Sequence, residues 1–140
     1  MKFNATKEIL LKGIQSVQSA INAKVSLPIL SNILIEATGD RVVFTATDLN
    51  IGILSSVAVK PATEGAITVP AKKFSDIIKE LPDEEVSVLV KKNNMVHIEC
   101  GKDIFKIMGL AKDEYPQLPE FKDKNFITIS QKRLKAMLKM

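Results

Sequence analysis

Three segments of this chain carry the same signature at the same internal spacing, and that periodicity limits the fold more tightly than composition does. Phe3, Ile67 and Ile127 each sit in a short alternating run, and seven residues after each comes a marker of an apolar stripe: Leu10, Phe74 and Leu134. The strand markers lie 64 and 60 residues apart. A spacing shared by three segments points to one supersecondary unit used repeatedly, each copy needing a neighbour to cover its apolar face.

The unit can be read out residue by residue. Phe3 and Ala5 alternate over 2–5 as a strand. Thr6 is a good N-cap, and Ile9, Leu10, Ile14, Val17 and Ile21 then recur at helical spacing, which predicts a helix over 7–20. Three strand-like runs follow, Ile33 to Ala37, Val42 to Thr47 and Ile51 to Val59, with turns at Thr38–Gly39–Asp40 and Asp48–Leu49–Asn50. The second copy opens with Ile67 and Val69 alternating into Pro70, a plausible helix start. Phe74, Ile77, Ile78 and Leu81 form its stripe, and Pro82 ends it. Val86, Val88 and Val90 alternate next. Asn93–Asn94 is a turn able to take positive φ, Met95 to Glu99 pairs back, and Ile104 to Met108 is the last strand.

A third copy begins with a strand at Ile127, Thr128 and Ile129, the N-cap Ser130 and the stripe Leu134, Met137, Leu138. It reaches Met140 inside its first helix with no closing signal, so the expectation is the front part of a longer protein. The division is a first domain over 1–125 and the opening strand and helix of a second over 126–140. The fold class is α+β: two strand-helix-three-strand repeats, with two helices packed on antiparallel sheets.

Charge narrows the partners. The net charge of +4 arises wholly from Lys132, Arg133, Lys135 and Lys139, because residues 1–125 hold 16 basic and 16 acidic side chains. Any surface for DNA is therefore a local patch and not a property of the whole chain. The single Cys100 excludes a disulfide framework and suits a reducing compartment. No apolar run approaches the roughly 18 residues of a membrane span.

Enzymatic chemistry is poorly supplied. His97, the only histidine, alternates in a strand with Met95 and Glu99 and reads as a half-exposed sheet residue. Cys100 has no histidine at a catalytic spacing and no CxxC partner. There is no GxGxxG, P-loop or metal-ligand cluster, so no cofactor, metal or catalytic residue is expected. Asp83–Glu84–Glu85 and Asp113–Glu114 read as solvated turn charges.

Leu27-Pro28-Ile29-Leu30-Ser31-Asn32-Ile33-Leu34-Ile35-Glu36 is opaque to propensity, since a proline among apolar residues says only that an ordered connection is buried there. Taken with Met1-Lys2-Phe3, Thr47-Asp48-Leu49, Thr68-Val69-Pro70-Ala71-Lys72-Lys73-Phe74, and Tyr115, Pro116 and Leu118, it closely resembles the bacterial sliding clamps, the beta subunits of DNA polymerase III. The match runs in order through the whole chain, over the first of that family's three domains and the start of the second.

The resemblance implies a clamp fold and a head-to-tail homodimeric ring around double-stranded DNA, helices lining the hole and sheets on the rim. It implies a noncatalytic processivity factor of the replicative polymerase in the bacterial cytoplasm, at the nucleoid during replication. Polymerase and clamp loader would bind through domains beyond this chain. Lys24 and Lys72 stand where family members often carry an arginine that contacts DNA; lysine keeps the charge and loses the bidentate fork. Lys72 and Lys73 also fall in the first turn of a helix, where a cation opposes the macrodipole by ~0.3 to 1 kcal/mol.

The last strand is apolar on both sides, with Phe105 and Ile107 on one face and Ile104 and Met108 beside Lys106 on the other. Such a strand is covered twice, either within its own domain or by another chain. The resemblance makes it the dimer joint, Phe105 and Ile107 packing and Lys73 and Lys102 pairing with acids opposite. The competing class is a noncatalytic protein-interaction or ligand-binding module of the same fold that does not encircle DNA.

Overall fold

The computed structural model describes residues 1–21, 27–118 and 127–139. Each repeat forms as its pattern demands. In the first, strand β1 (Lys2–Thr6) leads into helix α1 (Lys7–Gln18), and β2 (Asn32–Thr38), β3 (Arg41–Thr47) and β4 (Gly52–Val57) follow. In the second, β5 (Gly65–Pro70) leads into α2 (Ala71–Glu80), then β6 (Glu85–Val90), β7 (Met95–Cys100) and β8 (Asp103–Met108). The Thr6 hydroxyl accepts from the Ile9 N–H and caps α1, whereas Pro70 opens α2 with no side-chain cap. Asn94 takes the positive φ anticipated for its turn, and Gly101 supplies it between β7 and β8.

The two repeats exchange their opening strands. One four-stranded antiparallel sheet, the first, runs β4-β3-β2-β5; the second runs β1-β6-β7-β8. β1 therefore pairs with β6 of the other repeat, Phe3 opposite Val88, and β5 pairs with β2, Ile67 opposite Ile35. Alternation tells which face of a strand is apolar but not which strand lies beside it, so this swap was not legible in the pattern. Its result is one continuous core. Phe3, Leu10, Ile14, Ile35, Phe44, Ile67, Phe74, Ile78, Val88 and Ile98 are all buried in it, drawn from both repeats.

Some boundaries move for physical reasons. β4 is shorter than the run Ile51–Val59 because it is an edge whose only ladder matches Val57–Gly52 to Val42–Thr47 of β3. α1 ends at Gln18 and α2 at Glu80, and the Lys7 ammonium donates to the Lys79 and Leu81 carbonyls, closing the end of α2 from the start of α1. The third copy forms its helix, α3 (Gln131–Leu138), capped by Ser130, but 127–129 is not a strand. A strand needs a ladder partner, and none of the described residues pairs with this one. Ile127 is 89% exposed, and Leu134, Met137 and Leu138 are also exposed.

After β8 the chain turns back as a strap, residues 109–118, across the face of the first sheet opposite the helices. Gly109 donates to the Asn94 carbonyl, and Leu110 and Thr68 exchange backbone hydrogen bonds of 2.9 Å in both directions. The Thr68 hydroxyl, itself taking a hydrogen bond from Asn32 Nδ2, also donates to the Leu110 carbonyl. Lys112 then pairs with Glu36 of β2 at 2.7 Å, Tyr115 reaches β3, and Leu118 lies against Gly52 of β4. The strap thus crosses β5, β2, β3 and β4 in that order.

Candidate nucleic-acid interface and assembly edge

Two surfaces carry the residues singled out in the sequence. The first is the side of α1 and α2 turned away from the sheets. Lys12, Gln15 and Ser16 of α1 and its C-cap Ser19 are exposed there, as are Lys72, Lys73, Asp76 and Lys79 of α2. With no side-chain cap and no acidic residue in its first turn, α2 presents its first free backbone N–H groups beside two lysines. This is a largely polar face with local positive charge, broken only by shallow depressions at Ile21 and Ala71 and at Leu11, and its lysines are suited to phosphates and not to base edges. Lys24 lies outside the described residues.

The second surface is the free edge at β8. Its residues alternate as the sequence predicted: Phe105 stands opposite Ile98, and Ile107 opposite Val96, on the core side. Yet Phe105 is 36% exposed, and on the other face Ile104 and Met108 are 59% and 56% exposed. Neither face of β8 is fully covered by the described residues. The cause is the placement of the helices: α1 lies closely over β3 and β4, whereas α2 approaches β5 and leaves β8 without equal cover. Lys102 stands in the turn before this strand, and Lys73 on the first turn of α2. Neither makes an ion pair among the described residues.

The remaining candidates keep ordinary roles. His97 is half-buried between Leu89 and Lys106 on the open face of the second sheet. Cys100 is buried, and burial pushes its thiol up from the usual range, with the Glu84 and Asp103 carboxylates adding to the rise. A thiol so held is a weak nucleophile. Asp48 is held below the usual carboxylate range by the Ile51 and Asn50 N–H groups that it accepts, which close the β3–β4 turn around Leu49 at φ 77°. Among the described residues no three His, Cys, Asp or Glu side chains converge as metal ligands, and no helix is long and apolar enough to cross a membrane.

A cavity of about 600 Å³ lies under the strap, lined by Leu34, Thr45, Leu54, Tyr115 and Leu118 among others. Sequence reasoning missed it together with the strap. Residues 109–118 have no apolar period, and their partners, Thr68 of β5 and Thr47 and Glu36 of the first repeat, lie 42, 68 and 76 positions back.

A repeat-built α+β domain with paired helices on one side, sheets on the other and an open sheet edge at its end defines the class of clamp-fold domains. The chain belongs to the DNA polymerase III beta subunit family, whose N-terminal domain matches residues 1–119. A beta sliding clamp of Bacillus subtilis is 33% identical over 147 residues, covering 99% of this chain and 39% of that protein. One from Escherichia coli is also 33% identical, covering 99% and 38%. The crystal structure of the Bacillus subtilis sliding clamp superposes with a TM-score of 0.94 at 34% identity, over 99% of this chain and 38% of that one. The beta subunit from Pseudomonas aeruginosa gives 0.92 at 30% identity, over 99% and 38%. The chain thus spans between a third and two-fifths of the length of such relatives.

Proposed function

We propose that this chain is the first domain of a DNA sliding clamp, residues 1–125, with the opening of the second, 126–140. The complete protein is a head-to-tail homodimeric ring on double-stranded DNA that tethers the replicative polymerase in the bacterial cytoplasm. It has no catalysis of its own, and the polymerase and clamp loader engage it through later domains. The observation that carries the reading is the placement of the two free sheet edges. The described strap ends with Leu118 against Gly52 of β4, which favours that edge for a following domain, while β8, with Phe105 and Ile107 partly open, is left for another chain. Two different edges meeting one another give a heterologous contact, which makes a closed ring when the rotation per domain is right.

The mechanism follows from what the helix face lacks. Lysines that touch only phosphates, Lys72 here and Lys24 by family resemblance, bind duplex by counterion release without reading sequence, so the ring slides. Polymerase held to such a ring rebinds the primer end as an intramolecular event, at a raised effective concentration. Lys102, in the turn before β8, and Lys73, on the first turn of α2, pair with acidic groups across the joint.

The test is the double variant Phe105→Ala, Ile107→Ala in the full-length protein. It should sediment as monomer at concentrations where the wild type is dimeric, and fail to stay on nicked circular duplex that holds the wild type until the circle is cut. An intact dimer with a much lower melting temperature would instead make the β8 face part of the domain's own core.

A further inference from the structure

Tyr115 fastens the strap to the first sheet, shortly before the described strap ends. It is 4% exposed. Its phenol meets two backbone groups of β3: the Thr47 N–H donates to Oη at 3.1 Å, and Oη donates to the Thr45 carbonyl at 3.5 Å. In an antiparallel ladder, a carbonyl and the N–H two residues further on point to the same side and are satisfied together by a partner strand. The register of β2 on β3 stops at Leu34 opposite Thr45, so Thr47 lies beyond it. The phenol supplies the acceptor that a further residue of β2 would have offered to Thr47, and makes a second, longer hydrogen bond to the carbonyl of Thr45 inside the ladder. Releasing the strap would leave the Thr47 N–H, on a residue 2% exposed, without its partner.

The strap's other side-chain attachment on this sheet is weaker. Lys112 and Glu36 are partly exposed, and a surface ion pair contributes little. Without Tyr115, the chain beyond Leu110 would be held to the domain chiefly by that pair and by Leu118 on Gly52.

We propose that Tyr115 is a positioning residue: by locking the strap onto β3 it fixes the angle at which the following domain leaves the first. This rests on the clamp reading for the existence of that domain, and the angle matters because a ring of heterologous contacts closes only at the right rotation.

The test uses the full-length protein with Cys100→Ala and spin labels at Glu80→Cys and Gln131→Cys, one at the end of α2 and one at the start of α3. Wild type should give a narrow distance distribution, Tyr115→Phe a broader one and Tyr115→Ala the broadest. Exchange of the Thr47 amide should rise roughly fivefold to tenfold in Tyr115→Phe, the effect of one lost hydrogen bond. Val17→Ala, which weakens the core away from the strap, serves as control and should lower the melting temperature without widening the distribution. Wild-type widths in both Tyr115 variants, or equal broadening by Val17→Ala, would overturn the proposal. Failure of the clamp reading shows separately, as wild-type protein not retained on circular duplex while the Tyr115 effect on distance persists.

Discussion

The two repeats are built to one plan and finished differently. Both run strand, helix, three strands, and both place their large apolar residues at matching positions, Leu10 and Phe74 being the equivalent helix anchors. But the sheet that carries β2, β3 and β4 is covered by α1 within and crossed by the strap outside, which leaves Leu54 of β4 exposed, whereas the sheet that carries β6, β7 and β8 has no such strap and is open at its last strand. The helices differ too: α1 starts on a capping threonine with Glu8 in its first turn, α2 on a proline with Lys72 and Lys73. Where the copies agree, the residues satisfy the fold. Where they differ, the second copy keeps features that cost it stability and that a partner can use.

The largest expected contrast is between two phenylalanines of the chain as given. Phe44, on the inner face of β3, is fully buried, and Phe44→Ala should cost ~3 to 5 kcal/mol, a large part of the stability of a domain this size. Phe105, at 36% exposed, should cost only ~1 to 2 kcal/mol on the same change. Denaturant midpoints at unchanged slope measure both. Equal losses would mean that β8 is held as firmly as β3, and the contrast between the open and the covered sheet would fail.

Next comes Gly109, where the strap begins. A Cβ there would stand 2.7 Å from the Thr68 carbonyl oxygen and 2.8 Å from Ile67 Cγ1, so Gly109→Ala forces strap and β5 apart and should cost ~1 to 3 kcal/mol. Native-state hydrogen exchange should locate the damage at Thr68 and Leu110 and spare β6 and β7. Damage spread evenly over both sheets would show that the strap is not a separate cover.

How far the sequence reaches is visible in the same places. Helix and strand periods located every α-helix and β-strand of both repeats to within a few residues, because each faces a single core, but not the 3₁₀ turns at Pro28–Ser31 and Lys112–Glu114. Proline, glycine and asparagine marked the turns for local reasons. What the periods could not supply were relations between distant segments: the exchange of β1 and β5, and the strap, whose Gly109, Lys112 and Tyr115 make sense only against Thr68, Glu36 and Thr47. The exposure of Phe105 is of the same kind, since it depends on where α2 stops covering the second sheet. Lys72 was identified by family resemblance, and its exposed place at an uncapped helix start agrees with that expectation without testing it.

Tyr115 gives a smaller, pH-dependent contrast. Burial raises its phenol above the usual value near 10, and the Thr47 N–H pulls it back in part. With the folded value above the unfolded one, its contribution is complete below about pH 10 and is lost as pH climbs through the raised folded value. The strap should therefore come off the first sheet in alkali. Tyr115 is the only tyrosine and there is no tryptophan, so tyrosinate absorbance follows it alone. A midpoint at the free-tyrosine value, with exchange at Thr47 unaltered, would contradict a docked strap.

The smallest expected effect separates the two helix starts, and it runs in opposite directions for folding and for binding. Lys72 is exposed in the first turn of α2, where its charge opposes the helix dipole, so Lys72→Ala should raise stability by a few tenths of a kcal/mol up to ~1 kcal/mol. In the full-length clamp the same change should lower the slope of log affinity against log salt by about 0.9, one phosphate contact, and by the same amount on unrelated duplex sequences. Clamps already closed on circular DNA should stay there, since a topological link does not depend on one contact, whereas loading should weaken first at raised salt. A residue that only solvates the surface would leave the slope unchanged, and one that reads bases would lose affinity unevenly between sequences. A protein that gains stability while losing salt-dependent attraction identifies Lys72 as a group kept at the cost of its helix for the sake of the duplex.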